Sequence, residues 1–189
     1  MKYQQHKFSN SRTQVNMKAV FLFLTICFIV SSCNTEHDGH SGLGMQPTYV
    51  TIAQLNEIGN IEVQPIEQSG PIYLKGDFFF MTENKKGIHV FDIADEEQEE
   101  ALTFISIPAI TDFTIDNNYL YADSWRDLIT IDIADIYNVQ FLSRQKNVID
   151  PVLFPLLYNG PFECVDESKG AVVGWEEIEL NNVFCHTTN

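Results

Sequence analysis

The chain has 189 residues and carries 26 acidic side chains against 11 Lys and Arg, a formal net charge of −15 with histidine neutral. Four of the bases and none of the acids lie in the first 32 residues, so residues 33–189 hold 7 bases against 26 acids, a formal charge of −19. That balance excludes nucleic acid and anionic lipid as partners bound by charge, because both need a basic footprint; divalent cations, basic partners and plain solubility remain.

In chain order, Lys2, Lys7, Arg12 and Lys18 precede an apolar run, Ala19–Val30, which ends at Ser31-Ser32-Cys33. A positive region, an apolar core of 12 residues and small residues at a cut point describe a secretory signal. Such a run rises only about 18 Å as a helix, against a hydrocarbon layer of roughly 30 Å, so it is too short for a stable span. Val30-Ser31-Ser32-Cys33 resembles the lipobox of bacterial lipoproteins, in which the peptide is cut before an acylated cysteine. The expectation is a signal peptide over 1–32 and lipidation at Cys33, several acyl chains together giving a durable membrane anchor. An ordinary signal with an unrelated cysteine is the alternative, and Met17 offers a second, more compact start. Asn34 stands where many inner-membrane lipoproteins have Asp, which favours the outer membrane, with a periplasmic or a surface-facing domain.

Residues 33–47 are rich in Gly, His and Ser without periodicity, so they read as a flexible tether. Thr51 and Gln54 have capping-box spacing and predict one short N-terminal helix through about Glu57. From there on, short runs of Ile, Val, Phe, Tyr and Thr alternate with Gly, Asn and Asp, which is the signal of strands. Residues 33–189 are long enough for a domain with its own core, and 48–189 form that domain in this reading.

Two stretches within it repeat. Asp-Ile-Ala-Asp occurs at 92–95 and again at 132–135, each time after an aromatic strand and a turn, the second turn being one residue shorter. An offset near 40 residues with about four strands per unit is the arithmetic of a propeller blade. The expected strands are Pro71–Lys75, Asp77–Glu83, Gly87–Ile93 and Ala101–Ile107 in the first unit (about 71–108). In the second (about 111–147) they are Thr111–Ile115, Tyr119–Ser124, Leu128–Ile133 and Val139–Arg144; a weaker third candidate spans 161–180. The segments IYLKGDFFFMTENKKGIHVFDIAD and NNYLYADSWRDLITIDIAD resemble the bacterial LVIVD-repeat proteins, β-propeller lipoproteins, and the likeness extends from Tyr49 to Trp175 as in the N-terminal half of longer members. The resemblance implies a mainly β fold of tandem four-stranded antiparallel blade-like repeats, a partial or small β-propeller, and transfers architecture rather than chemistry. Propellers close with four or more blades, so two clear repeats leave strand edges for the N-terminal segments, a degenerate blade or a partner to cover.

Candidate chemistry is sparse. Asp92 and Asp132 sit at strand ends, where a carboxylate accepts backbone N–H bonds in an Asx turn. The acidic run Asp95–Glu100 lacks the ligand spacing of a calcium loop and reads as solvated, and His37 and His40 lie in the tether without further ligands. His89 reads as an ordinary strand residue. Cys164 and Cys185 are a candidate disulfide in an oxidising envelope, with two free thiols as the alternative; His186 beside Cys185 would matter only with a reduced thiol. Trp125 and Arg126, in a hairpin turn where burial is hard to arrange, are the candidate ligand or glycan platform. No catalytic set, no metal site and no cofactor motif is expected. The sequence therefore points to a non-catalytic binding or scaffolding lipoprotein of the outer membrane, held by its lipid and partnered by an envelope protein or glycan. A calcium-dependent adhesion module is the alternative, a propeller-type hydrolase or lyase a third, and the oligomeric state stays open.

Overall fold

The computed structural model describes residues 39–94 and 100–187. It is mainly β, built from several small sheets, none of them closed. The first sheet holds β2 (Gly59–Ile61), β3 (Ser69–Lys75), β4 (Phe78–Glu83), β5 (Gly87–Asp92) and β6 (Thr103–Ser106) in the order β2-β6-β5-β4-β3, every pair antiparallel. The second is an antiparallel meander of β7 (Phe113–Asp116), β8 (Tyr119–Ser124), β9 (Asp127–Asp132) and β10 (Gln140–Gln145). Eight of these strands, β3 to β10, lie within two residues of the runs that the alternating pattern marks.

Alternation explains the core between these sheets. In β8 and β9 every second residue is buried, Leu120 and Ala122 on one strand and Ile129 and Ile131 on the other. They join Phe80, Ile88, Val90 and Ile105 of the first sheet in one apolar cluster. Burying such side chains contributes about 1.5–3 kcal/mol each. The central strand β5 is buried on both faces over Gly87–Val90, so His89, which points away from Ile88 and Val90, is enclosed as fully as they are.

The two stretches expected to repeat share their turn geometry. Gly76 (φ +57°) opens the two-residue turn into β4 and Asn117 (φ +51°) the one into β8. Asp92 Oδ1 then accepts from Ala94 N at 2.8 Å, and Asp132 Oδ1 from Ala134 N at 2.9 Å. The intervening isoleucines match as well, with Ile93 N donating to Asp77 O and Ile133 N to Asn118 O, both at 2.8 Å. Each unit also has a carboxylate on its second strand that accepts two successive backbone N–H groups just before its first. Glu83 takes those of Glu67 (3.1 Å) and Gln68 (2.6 Å); Asp123 takes those of Thr111 (2.6 Å) and Asp112 (2.9 Å). The clamp satisfies donors that would otherwise be orphaned at a sheet edge.

The third sheet departs from expectation. β1 (His40–Val50), β11 (Gly160–Phe162), β12 (Ala171–Val183) and β13 (Cys185–Thr187) lie in the order β12-β1-β11-β13, with β1 and β11 parallel. The expected tether is thus corrected over its described part: from His40 onward the chain is a strand paired along β12. Gly44 serves packing, since a Cβ there would stand 2.4 Å from Leu180 Cδ1 and 2.6 Å from Pro161 O. The weaker third unit at 161–180 falls on β11, a one-turn 3-10 helix at Glu167–Lys169, and much of β12.

The short N-terminal helix is also corrected. Thr51 and Gln54 do form the capping box, Thr51 N donating to Gln54 Oε1 at 2.9 Å and Gln54 N to Thr51 Oγ1 at 3.2 Å. Only one 3-10 turn follows, Gln54–Asn56. A cap satisfies donors but does not supply a packed face, and Leu55 is that turn's single buried residue.

Candidate functional site

Cys33, the whole of 1–32, His37 and the acidic residues 95–99 lie outside the described residues. His40 is an exposed residue of β1, and no three His, Cys, Asp or Glu side chains among the described residues come together as metal ligands. Cys164 and Cys185 are bonded, with Cα atoms 5.3 Å apart, which removes the thiol that a partnership with His186 requires. The bond ties the end of β11 to β13, where Phe162 and Cys185 are register partners.

Trp125 and Arg126 occupy the two-residue turn between β8 and β9. Trp125 stands at φ +62°, as Lys85 does at φ +64° in the longer turn of the first unit. The ring is not the open platform that a turn position suggests. It packs against the small cluster of Leu55, Ala109 and Ala171, and the Arg126 guanidinium lies 4.3 Å from its centre, a cation–π geometry. Arg126 Nη2 in turn meets Glu167 Oε2 at 2.8 Å.

Two residues without a sequence signal of their own complete the site. Arg144 of β10 donates through Nη1 to Asp127 Oδ2 at 3.0 Å and through Nη2 to Leu55 O at 2.6 Å, fastening the meander to the 3-10 turn. Lys146 follows it, and Arg126, Asp127, Arg144, Lys146 and Trp125 line one cavity of about 190 Å³ with Ile52, Leu55, Asn56 and Asn147. The pertinent signal is scarcity: three of the seven bases in residues 33–189, including both arginines, converge here.

A second polar site lies inside the first sheet. His89 Nε2 and Glu83 Oε2 are 3.5 Å apart, and neither side chain reaches solvent. Burial pushes the His89 pKa down, opposed by the neighbouring carboxylate. Burial would raise that of Glu83, yet the backbone N–H groups of Glu67 and Gln68, with His89 behind them, hold it below the ordinary value. His89 also borders a cavity of about 450 Å³ with Val63, Gln64, Pro65, Ile66, Phe91, Glu100 and Ala101, none of which carries a hydroxyl or thiol nucleophile.

No protein-family model, no curated protein and no solved structure matches this chain.

Proposed function

We propose that this chain is a lipoprotein of the outer membrane, anchored through Cys33, whose LVIVD-type β-propeller repeats present a non-catalytic binding surface to an envelope protein or glycan. The observation that carries the repeat reading is the matched geometry at Asp92 and Asp132, where the same turn, the same Asx bond and the same isoleucine contact recur in successive units. The sheets are open, as in a partial propeller, and the outer strands β3 and β10 present exposed apolar residues, Ile72 and Leu74 on one, Phe141 and Leu142 on the other. Unpaired apolar edges are where a further blade or a partner adds. The binding face is the turn cluster around Trp125 and Arg126, which joins the β8–β9 turn, β10 and two 3-10 turns.

The test is cross-linking in living cells of the producing organism, with a photoreactive residue in place of the exposed Ile52, at the rim of the Trp125 cluster. Recovery of one defined envelope protein or glycan, lost when Arg126 is changed to Glu, is the expected outcome. No specific adduct, together with an unaltered envelope on deletion of the gene, overturns the reading.

A further inference from the structure

The cavity beside Trp125 combines three features that together define a ligand class. First, its lining is basic in an acidic molecule: Arg126, Arg144 and Lys146 line it with the one lining acid Asp127. Although Asp127 pairs with Arg144 and Glu167 with Arg126, Lys146 leaves the site with a net positive charge in a segment whose formal charge is −19 over residues 33–189. Secondly, the buried polar atoms without a hydrogen-bond partner in the chain include Trp125 Nε1, Arg126 Nε and Arg144 Nε, each on a residue that lines this cavity. All three are N–H groups that can only donate. Thirdly, the guanidinium planes are held in place, Arg144 by Asp127 and Leu55, Arg126 by Glu167 and the Trp125 ring.

Buried donors are costly to leave unpaired, about 1–3 kcal/mol each, and a chain with so few bases gains nothing for solubility by gathering three of them. An anionic ligand answers the gathered charge, and its acceptors strengthen the field in which the buried donors sit. The cavity, about 190 Å³, is smaller than the roughly 300–1,000 Å³ of pockets that enclose a whole drug-sized molecule, so it takes one charged group and leaves the rest of the ligand outside. We propose that this cavity is an oxyanion-binding site, which receives the carboxylate or phosphate of an acidic sugar, with Arg126, Arg144 and Lys146 as the charge partners and the Trp125 ring as part of its wall. The site deepens the binding-module reading, on which it rests for its purpose; it does not depend on lipidation at Cys33.

The experiment titrates the full-length chain with D-glucuronate, D-glucose 6-phosphate and D-glucose, three probes with the same ring that differ in the charged group. The readout is Trp125 fluorescence in a Trp175→Phe background, which leaves one of the chain's two tryptophans. Saturable binding of either charged sugar but not of glucose is expected, and which of them binds tells a carboxylated source from a phosphorylated one. Arg126→Gln should weaken that binding about tenfold or more, the usual loss for a charge-assisted hydrogen bond, and Lys146→Gln should reduce both the affinity and its sensitivity to salt. Equal binding of all three sugars, or no binding of either charged sugar at 10 mM (roughly 100 times the affinity of a weak but specific site), overturns the proposal. The Trp175→Phe parent series decides this even if an Arg126 or Lys146 variant misfolds. Failure here with a surviving cellular cross-link would remove the oxyanion site and keep the binding module.

Discussion

His89 and Glu83 face each other at 3.5 Å on the face of the first sheet opposite Ile88 and Val90, and both side chains are closed off from water. The distance suits an electrostatic contact but is long for a formed hydrogen bond, and the His89 ring instead packs edge-on against Phe104 with centroids 4.8 Å apart. The charge that this site tolerates is the carboxylate, held by two backbone N–H groups.

The pH dependence of stability follows from that pair. His89 has a folded pKa below its ordinary value of 6.5, so the unfolded chain binds the proton more readily than the folded one. Stability from this residue is full above pH 6.5 and falls as pH drops below it toward the lowered folded value. Glu83 is likewise lowered from 4.5, so its contribution is present above that pH and lost as pH falls through its folded value. Urea unfolding should therefore show a plateau from about pH 7 upward, a decline beginning near pH 6.5, and a second, steeper one below 4.5. His89→Leu should abolish the first decline and leave the second; a wild-type profile that stays flat down to pH 5 would contradict the assignment.

Asp92 and Asp132 are turn formers, and their removal should cost stability in equal measure. Each Asx bond is worth about 1 kcal/mol net, so Asp92→Ala and Asp132→Ala should each lower the unfolding free energy by about that amount. Asn keeps the acceptor, and Asp92→Asn should cost less than half as much. The sites lie in different sheets, so the double Ala variant should be additive within about 0.5 kcal/mol. If Asn proved as costly as Ala, the carboxylate would be needed for its charge, and the turn explanation would not stand.

Gly87 is required by close approach. It sits opposite Glu83 in β4, and a Cβ there would stand 2.2 Å from Ile105 O and 2.6 Å from the Phe104 ring. Gly87→Ala must push β6 and Phe104 away from β5, which costs about 1–3 kcal/mol as overpacking. The same substitution at Gly76, where no atom lies within 4 Å of the added Cβ, disturbs only a turn at φ +57° and should cost about 1 kcal/mol. Thermal unfolding of the two variants side by side distinguishes crowding from backbone conformation.

The contrast between these glycines shows what can be read from the chain alone. Strands β3 to β10 were legible because short runs of β-branched and aromatic residues mark them and most of their turns carry Gly, Asn or Asp, the Trp125-Arg126 turn between β8 and β9 excepted. β1 was not, because its glycines look like linker composition while the use of Gly44, close approach to Leu180 and Pro161, depends on β12 and β11, far along the chain. The helix after Thr51 failed for the converse reason: its cap is local and formed, but helix propagation needs an apolar face that Leu55 alone does not provide. At the candidate site, Trp125 and Arg126 stood out by their place in a turn, whereas Arg144 and Lys146 join them only through the folding of β10 beside β9. Glu83 and His89 are ordinary residues in the sequence, and burial on a central strand is what sets them apart.

The disulfide offers the last test, because it fixes the third sheet at a point where the chain has little else. β11 and β13 are three residues each, too short to hold their register by backbone bonds alone, and Phe162, packed edge-on to Trp175 at 5.5 Å, is the apolar anchor beside them. The Cys164–Cys185 bond closes a loop with a sequence separation of 21, which in the chain-entropy model is worth about 3 kcal/mol. Replacing both cysteines by serine should therefore lower the unfolding free energy by about that amount and loosen β13 first, so that amide exchange at Cys185–Thr187 accelerates while β8 and β9 keep their protection. The intact protein should show no thiol from these two positions until it is reduced under denaturing conditions. Two reactive thiols in the folded, oxidised protein would mean that the strands β11 and β13 are held by packing on Phe162 and not by a covalent bond.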